Sequence, residues 1–184
     1  MSVLISSELR SEINDIFMRP GPAERLYVFD NIPPKLLKNA TESFAPKIGT
    51  DEAIILLYDD TLFSSGKDGF ILTTKVLYYK NFTESSSAVK IENIIDMTIE
   101  RAGLQKNIIV NTSFSKLKIN LTSTQNKDAV FNVLNGVVGL FQSKTSSSSS
   151  NADQADNNEP LICRGCGARE FNLANICEYC GTAV

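Results

Sequence analysis

The chain has 184 residues, a formal net charge of -3 and 42% hydrophobic residues, enough for one substantial core and an appendage. It contains no histidine, which removes imidazole acid–base chemistry, the Ser-His-Asp and Cys-His nucleophiles and histidine metal ligands. No apolar run approaches the roughly 20 residues of a membrane span, and the N-terminus lacks the basic and long apolar stretches of a secretory leader, so a cytoplasmic protein is expected.

A first helix is predicted from Ser6 or Ser7, which can cap it, with Leu9, Ile13, Ile16 and Phe17 recurring on one face. Pro20 and Gly21 end it. A second helix starts near Pro33 and Pro34, where a missing N–H does no harm in the first turn. Its apolar face is Leu36, Leu37, Ala40 and Phe44, and Pro46 with Gly49 stops it. From Ala53 the pattern changes to strands. Ala53 to Tyr58 is an unbroken apolar run, as in a strand buried on both faces. Phe70–Leu72 and Val76–Tyr79 follow, then alternating segments around Val89 and Ile91, and around Met97 and Ile99. Ile108–Asn111 and the half-buried pattern of Leu117 and Ile119 complete a count of seven. Gln125 to Phe141 then reads as a closing helix with Val130, Leu134, Val137, Val138 and Phe141 on one face. Gly136 and Gly139 each weaken that helix by about 1 kcal/mol relative to alanine; close packing against a neighbour would account for them.

Residues 145–158 are Ser-, Asn- and Asp-rich, with nothing to bury, and read as a flexible linker. Beyond it lie the only four cysteines, Cys163, Cys166, Cys177 and Cys180. They form two C-x-x-C pairs. Each pair aims two sulfurs at one point, and four thiolates make a closed tetrahedral zinc site. Gly165, Gly167 and Gly181 allow the sharp turns such knuckles need. The arm between the pairs has only Phe171 and Ile176 as sizeable apolar residues, too little core to fold without metal. One structural zinc ion is therefore expected, with no open position for catalysis; two disulfides or four free thiols are the alternative.

Tyr58-Asp59-Asp60-Thr61-Leu62-Phe63 followed by Lys67-Asp68-Gly69-Phe70, with Leu72-Thr73 behind, resembles the signature of bacterial pleckstrin-homology-like (PH/GRAM-like) domain proteins. Asp30-Asn31-Ile32-Pro33 resembles the lead-in of that group, and Val76-Leu77-Tyr78-Tyr79-Lys80 its third strand. The similarity covers about residues 28–142. It implies an α+β fold: a seven-stranded antiparallel barrel or sandwich with a closing C-terminal helix. The expected organisation is a helical N-terminal extension (1–48), the PH-like domain (49–144), the linker (145–158) and a zinc ribbon (159–184). Such domains are mostly scaffolds and interaction modules.

Within the signature, Asp59, Asp60 and Lys67 are candidate loop contacts. Adjacent strand residues point to opposite faces, so the two carboxylates are expected to bond nearby backbone N–H groups rather than share an ion or act as an enzyme's acid–base pair. Ser64-Ser65-Gly66-Lys67-Asp68-Gly69 fails the phosphate-loop pattern, with Thr61 and Asp68 where glycine and Ser/Thr are required. Lys67 alone among three aspartates offers no strongly positive pocket, which disfavours a lipid headgroup. Lys116 and Lys118, with Lys75 and Lys80, suggest a weak basic patch or a protected sheet edge. The expected function is a non-enzymatic module that binds a protein partner, or itself, through the PH-like domain and the tethered ribbon. Nucleic-acid binding through the ribbon, with Arg164 and Arg169 on phosphates, is the alternative, although the acidic linker and Glu170 and Glu178 oppose it.

Overall fold

The computed structural model describes residues 5–21, 23–102, 105–149, 161–162 and 169–170. The chain divides into two compact units, Met1–Lys144 and Thr145–Val184. The first is an α+β unit built on two antiparallel sheets.

Helix α1, Ser7–Met18, is capped by Ser6, whose hydroxyl accepts from Leu9 N at 3.3 Å. It gives way to strand β1, Leu26–Val28, and then to helix α2, Pro34–Ser43. The first sheet has the order β1-β2-β3-β4-β5, where β2 is Ile54–Asp59, β3 Gly69–Thr73, β4 Val76–Lys80 and β5 Ser87–Lys90. The second has the order β6-β7-β8, with β6 Ile94–Ala102, β7 Gln105–Thr112 and β8 Lys116–Leu121. Helix α3, Lys127–Ser149, follows.

The first sheet is buried on both faces. On one, Leu56, Tyr58, Phe70, Leu72, Leu77 and Tyr79 join the second sheet and α3 in the main core. On the other, Leu57, Ile71 and Tyr78 pack with Ile32, Leu36, Ala40 and Phe44 of the α2 region. That explains why β2 and β3 carry apolar residues without alternation. The second sheet turns Ile108, Val110, Ile119 and Leu121 into the main core; in β8 they alternate with polar neighbours, whereas β7 also buries Asn107 and Ile109. Burying each large side chain in this core is worth about 1.5–3 kcal/mol.

Three expectations are corrected. The seven expected strands form as β2–β8, but an eighth, β1, pairs with β2; residues 1–48 are thus not a purely helical extension but supply an edge of the main sheet. Among the described residues no ladder joins the two sheets into a closed barrel. Side chains join them instead: Asn81 Nδ2 donates to Lys118 O and Asn120 N donates to Asn81 Oδ1, both at 2.9 Å. Finally, α3 runs to Ser149, so the segment 145–158 begins as helix; the serines there continue a turn already nucleated by α3.

Of the two helix glycines, Gly136 is explained and Gly139 is not. A Cβ on Gly136 would lie 2.8 Å from Ile16 Cγ2, so α1 crosses α3 where the side chain is missing. A Cβ on Gly139 would meet nothing within 4 Å.

In the second unit, Leu161–Ile162 (β9) pairs antiparallel with Arg169–Glu170 (β10), residues on either side of the first C-x-x-C.

Candidate functional site: a braced apolar platform

Asp59 and Asp60 end β2 and begin the β2–β3 loop, and each carboxylate has a separate task. Asp59 is fully buried, and its Oδ1 accepts from Thr61 N, Thr61 Oγ1 and Gly66 N at 3.1, 2.6 and 3.1 Å. One short side chain thereby folds the loop over itself. Asp60 points elsewhere. Its Oδ1 accepts from Tyr58 OH at 2.9 Å and from Thr122 N and Ser123 N, each at 2.8 Å, and its Oδ2 from Thr122 Oγ1 at 2.7 Å. It fastens the loop to the segment between β8 and α3. Tyr58 itself is buried, and burial, with the Asp60 charge second, holds its hydroxyl far above the usual phenol range. Asp59 thus makes the loop-forming bonds expected of a turn aspartate, Asp60 bonds the backbone of a distant segment instead, and neither reaches for the other.

Other elements hold the loop from outside. Arg25 donates to the carbonyls of Thr61 and Leu62. From α2, Asn39 donates to Ser65 O at 2.7 Å and Ser43 to Lys67 O at 2.8 Å. Gly66 has φ +71, and a Cβ there would lie 2.8 Å from Leu36 O, so only glycine lets the loop lie against the α2 backbone. Lys80 pairs with Asp68 at 3.2 Å.

What this scaffold presents is apolar. Leu62 and Phe63 at the loop tip are 78% and 92% exposed, and Phe82, just past β4, is 77% exposed. The residues after the two phenylalanines, Ser64 and Thr83, hold φ of 51 and 66. Left-handed backbone at non-glycine residues costs about 1 kcal/mol or more each and persists only where the surroundings impose it. Leu62, Phe63 and Phe82 line a groove of 570 Å³ with Asp60, Lys67 and Asp68 at its margin. Asp60 is consumed by four hydrogen bonds and Asp68 by Lys80, whereas Lys67 is exposed and has no ion pair among the described residues. Lys67 is therefore the one lining cation without an ion pair among the described residues, while Asp60, held by neutral donors, keeps its negative charge at the same margin.

Lys67 was expected at this loop, and the apolar trio was not. Its signal was a Leu-Phe pair set between Asp-Asp-Thr and Ser-Ser-Gly, since two large apolar residues inside turn composition have no strand or helix to bury them. The suggested lysine patch is dispersed: Lys75 pairs with Asp51 and Lys80 with Asp68, leaving Lys116 and Lys118 exposed on β8. Cys163, Cys166, Cys177, Cys180 and Arg164 lie outside the described residues, as do the side chain of Arg169 and the zinc expectation with them. Among the described residues no helix is long and apolar enough to cross a membrane. Comparison with family models, with curated proteins and with solved structures gave no significant match.

Proposed function

We propose that this chain is a non-enzymatic interaction module, a PH-like unit with a tethered zinc ribbon, that binds a protein partner through the Leu62–Phe63–Phe82 platform. The carrying observation is three large apolar side chains held in solvent, Leu62 and Phe63 on a loop braced by Asp59, Asp60, Arg25 and α2, and Phe82 next to Asn81, which is bonded to β8. A rigid platform loses little entropy on association, so exposed aromatics there are worth more than on a mobile loop. The partner it suits presents an apolar side chain to the groove and an acidic group to Lys67. A lipid surface is a poorer match, because one free lysine on a chain of net charge -3 gains little from an anionic bilayer. The ribbon, with one zinc on its four cysteines, would be a second contact that raises avidity through its tether.

The test places a photo-crosslinking amino acid at Leu62 in the full chain and identifies the adduct by mass spectrometry. The reading predicts a single protein adduct whose purified binding falls at least about tenfold in Phe63→Ser. Adducts only between copies of the chain would assign the platform to self-association. Binding of the purified adduct partner that is unchanged in Phe63→Ser and in Phe82→Ser would refute the platform.

A further inference from the structure

A second surface shares no lining residue with the platform. Strand β5 is one edge of the first sheet and β8 one edge of the second. A groove of 430 Å³ opens between β5 and the turn leading into β8, lined by Ala88, Val89, Lys90, Phe114 and Leu117 among others. We infer that this open seam is a docking slot for an extended segment of a partner protein, apolar at alternate positions and acidic between them. The inference extends the reading of the chain as an interaction module but uses none of the platform's residues, so either can fail alone.

The backbone makes the first part of the case. Ile91 N donates to Lys75 O at 2.8 Å, so Ile91 is turned toward β4. By the two-residue alternation of a strand, Val89 and Ser87 turn the same way, and Ala88 and Lys90 direct their N–H and C=O groups to the open side. Lys90 C=O is the N-cap carbonyl of the short 3-10 turn Ile91–Asn93 and is used there, but no ladder, turn or cap bond takes Ala88 N–H, Ala88 C=O or Lys90 N–H among the described residues. A free strand edge is a template for one shape of ligand, another extended backbone. The facing edge already shows the same chemistry at one point. The side-chain amide of Asn81 gives one hydrogen bond to Lys118 O and takes one from Asn120 N, the pair of bonds a neighbouring strand would make. Asn81 thus occupies one end of the seam as a peptide surrogate, and the stretch beyond it is left for a real one.

The side chains supply the rest. Val89 is buried in the main core and Leu117 packs against it, while Phe114 is 86% exposed at the mouth. They give inward-pointing side chains of an added strand an apolar floor and a wall. On the outer face the neighbours are Lys90, Lys116 and Lys118, all exposed; Lys90 pairs with Glu92 at the surface, and the other two have no ion pair among the described residues. Opposite charges directly across a strand pair are favourable and like charges are not, so the outward positions of the guest should be acidic.

The experiment uses the full chain and a short fluorescent peptide alternating valine with glutamate. Its controls carry lysine in place of glutamate, or a central proline. The expected result is saturable binding of the Val/Glu peptide, at least about tenfold weaker for both controls. Ala88→Pro, which removes one edge donor at a position where proline is tolerated, should weaken binding to the same degree. Phe63→Ser should leave it unchanged. As a readout that needs no variant, hydrogen exchange in the unaltered chain should slow at Ala88 and Lys90 when peptide is added. No saturable binding up to about 1 mM overturns the inference, as does binding with no slowing at those two amides, or equal binding of the lysine peptide. A chain that dimerises without peptide and becomes monomeric in Ala88→Pro would give the edge to a second copy and overturn the partner reading.

Discussion

Asp60 can be removed in two ways that separate its geometry from its charge. Asp60→Ala strips the acceptor from Tyr58 OH, Thr122 N, Thr122 Oγ1 and Ser123 N. Hydrogen bonds to an ionised acceptor are worth about 1.5–3 kcal/mol each, a nominal roughly 6–12 kcal/mol. Both bonds to Thr122 lie at the exposed surface, where water replaces them. The partly buried donors, Tyr58 OH and Ser123 N, remain. They are coupled through one carboxylate, so the expected cost is about 3 kcal/mol. Asp60→Asn keeps an oxygen at Oδ1 for three of the donors and sets an amide against the Thr122 hydroxyl, which can turn to accept it. It should cost only about 1 kcal/mol, the lost charge assistance. Urea unfolding monitored by circular dichroism is the assay. With a slope near 2 kcal/mol per M, the alanine variant should lower the midpoint by about 1.5 M and the asparagine variant by about 0.5 M. A loss under about 1 kcal/mol in Asp60→Ala would refute the claim that Asp60 joins the β2–β3 loop to the β8–α3 segment. So would a divalent ion that stabilises the unaltered chain but not Asp60→Asn, because the carboxylate would then be serving a cation.

Gly139→Ala should raise the melting temperature by about 2–4 °C, since it adds helix propensity in open space, while Gly136→Ala should lower it because Ile16 must move; equal shifts would remove the close crossing of α1 and α3. Burial, with Glu52 second, pushes the Tyr78 hydroxyl up to about 12 from 10.0. The unfolded chain therefore ionises there first, so the stability Tyr78 contributes is complete below about pH 10 and is lost between about pH 10 and 12. Thermal melts across that range should show a shallower decline for Tyr78→Phe, and an identical decline would exclude the linkage. Metal release after thiol modification should yield one zinc per chain and all four cysteines reactive; Cys166→Ser should lose the ion and leave the melting of Met1–Lys144 unchanged.

Much of the fold is legible where local chemistry decides it. Ser6 and Pro20-Gly21 bracket α1, and Pro34 opens α2 at the expected residue. The unbroken apolar run of β2 announces a sheet covered on both sides, and α2 is the second cover. Strand β1 is missed because three residues, Leu26 to Val28, carry too short an alternation to stand out; β2 selects it. The choice between barrel and sandwich is left open for a different reason. Whether a sandwich closes by backbone or by side chains is decided by Asn81 and Asp60, and an asparagine or aspartate in a turn looks the same in either case. At the candidate site, the polar residues drew attention because chemistry is usually polar. The apolar trio follows only once the strands have ended and left Leu62, Phe63 and Phe82 nothing to cover them.

The two-sided burial of the first sheet also bears on how the chain is made. Ile54–Tyr58 and Phe70–Thr73 are the kind of apolar, β-prone, uncharged segments that pair with other chains when left bare. Synthesis proceeds from the N-terminus. Helix α2, which shields their outer face through Leu36, Ala40 and Phe44, leaves the ribosome before either strand. The hazardous segments thus emerge behind their own cover, and only the inner face must wait for the second sheet and α3.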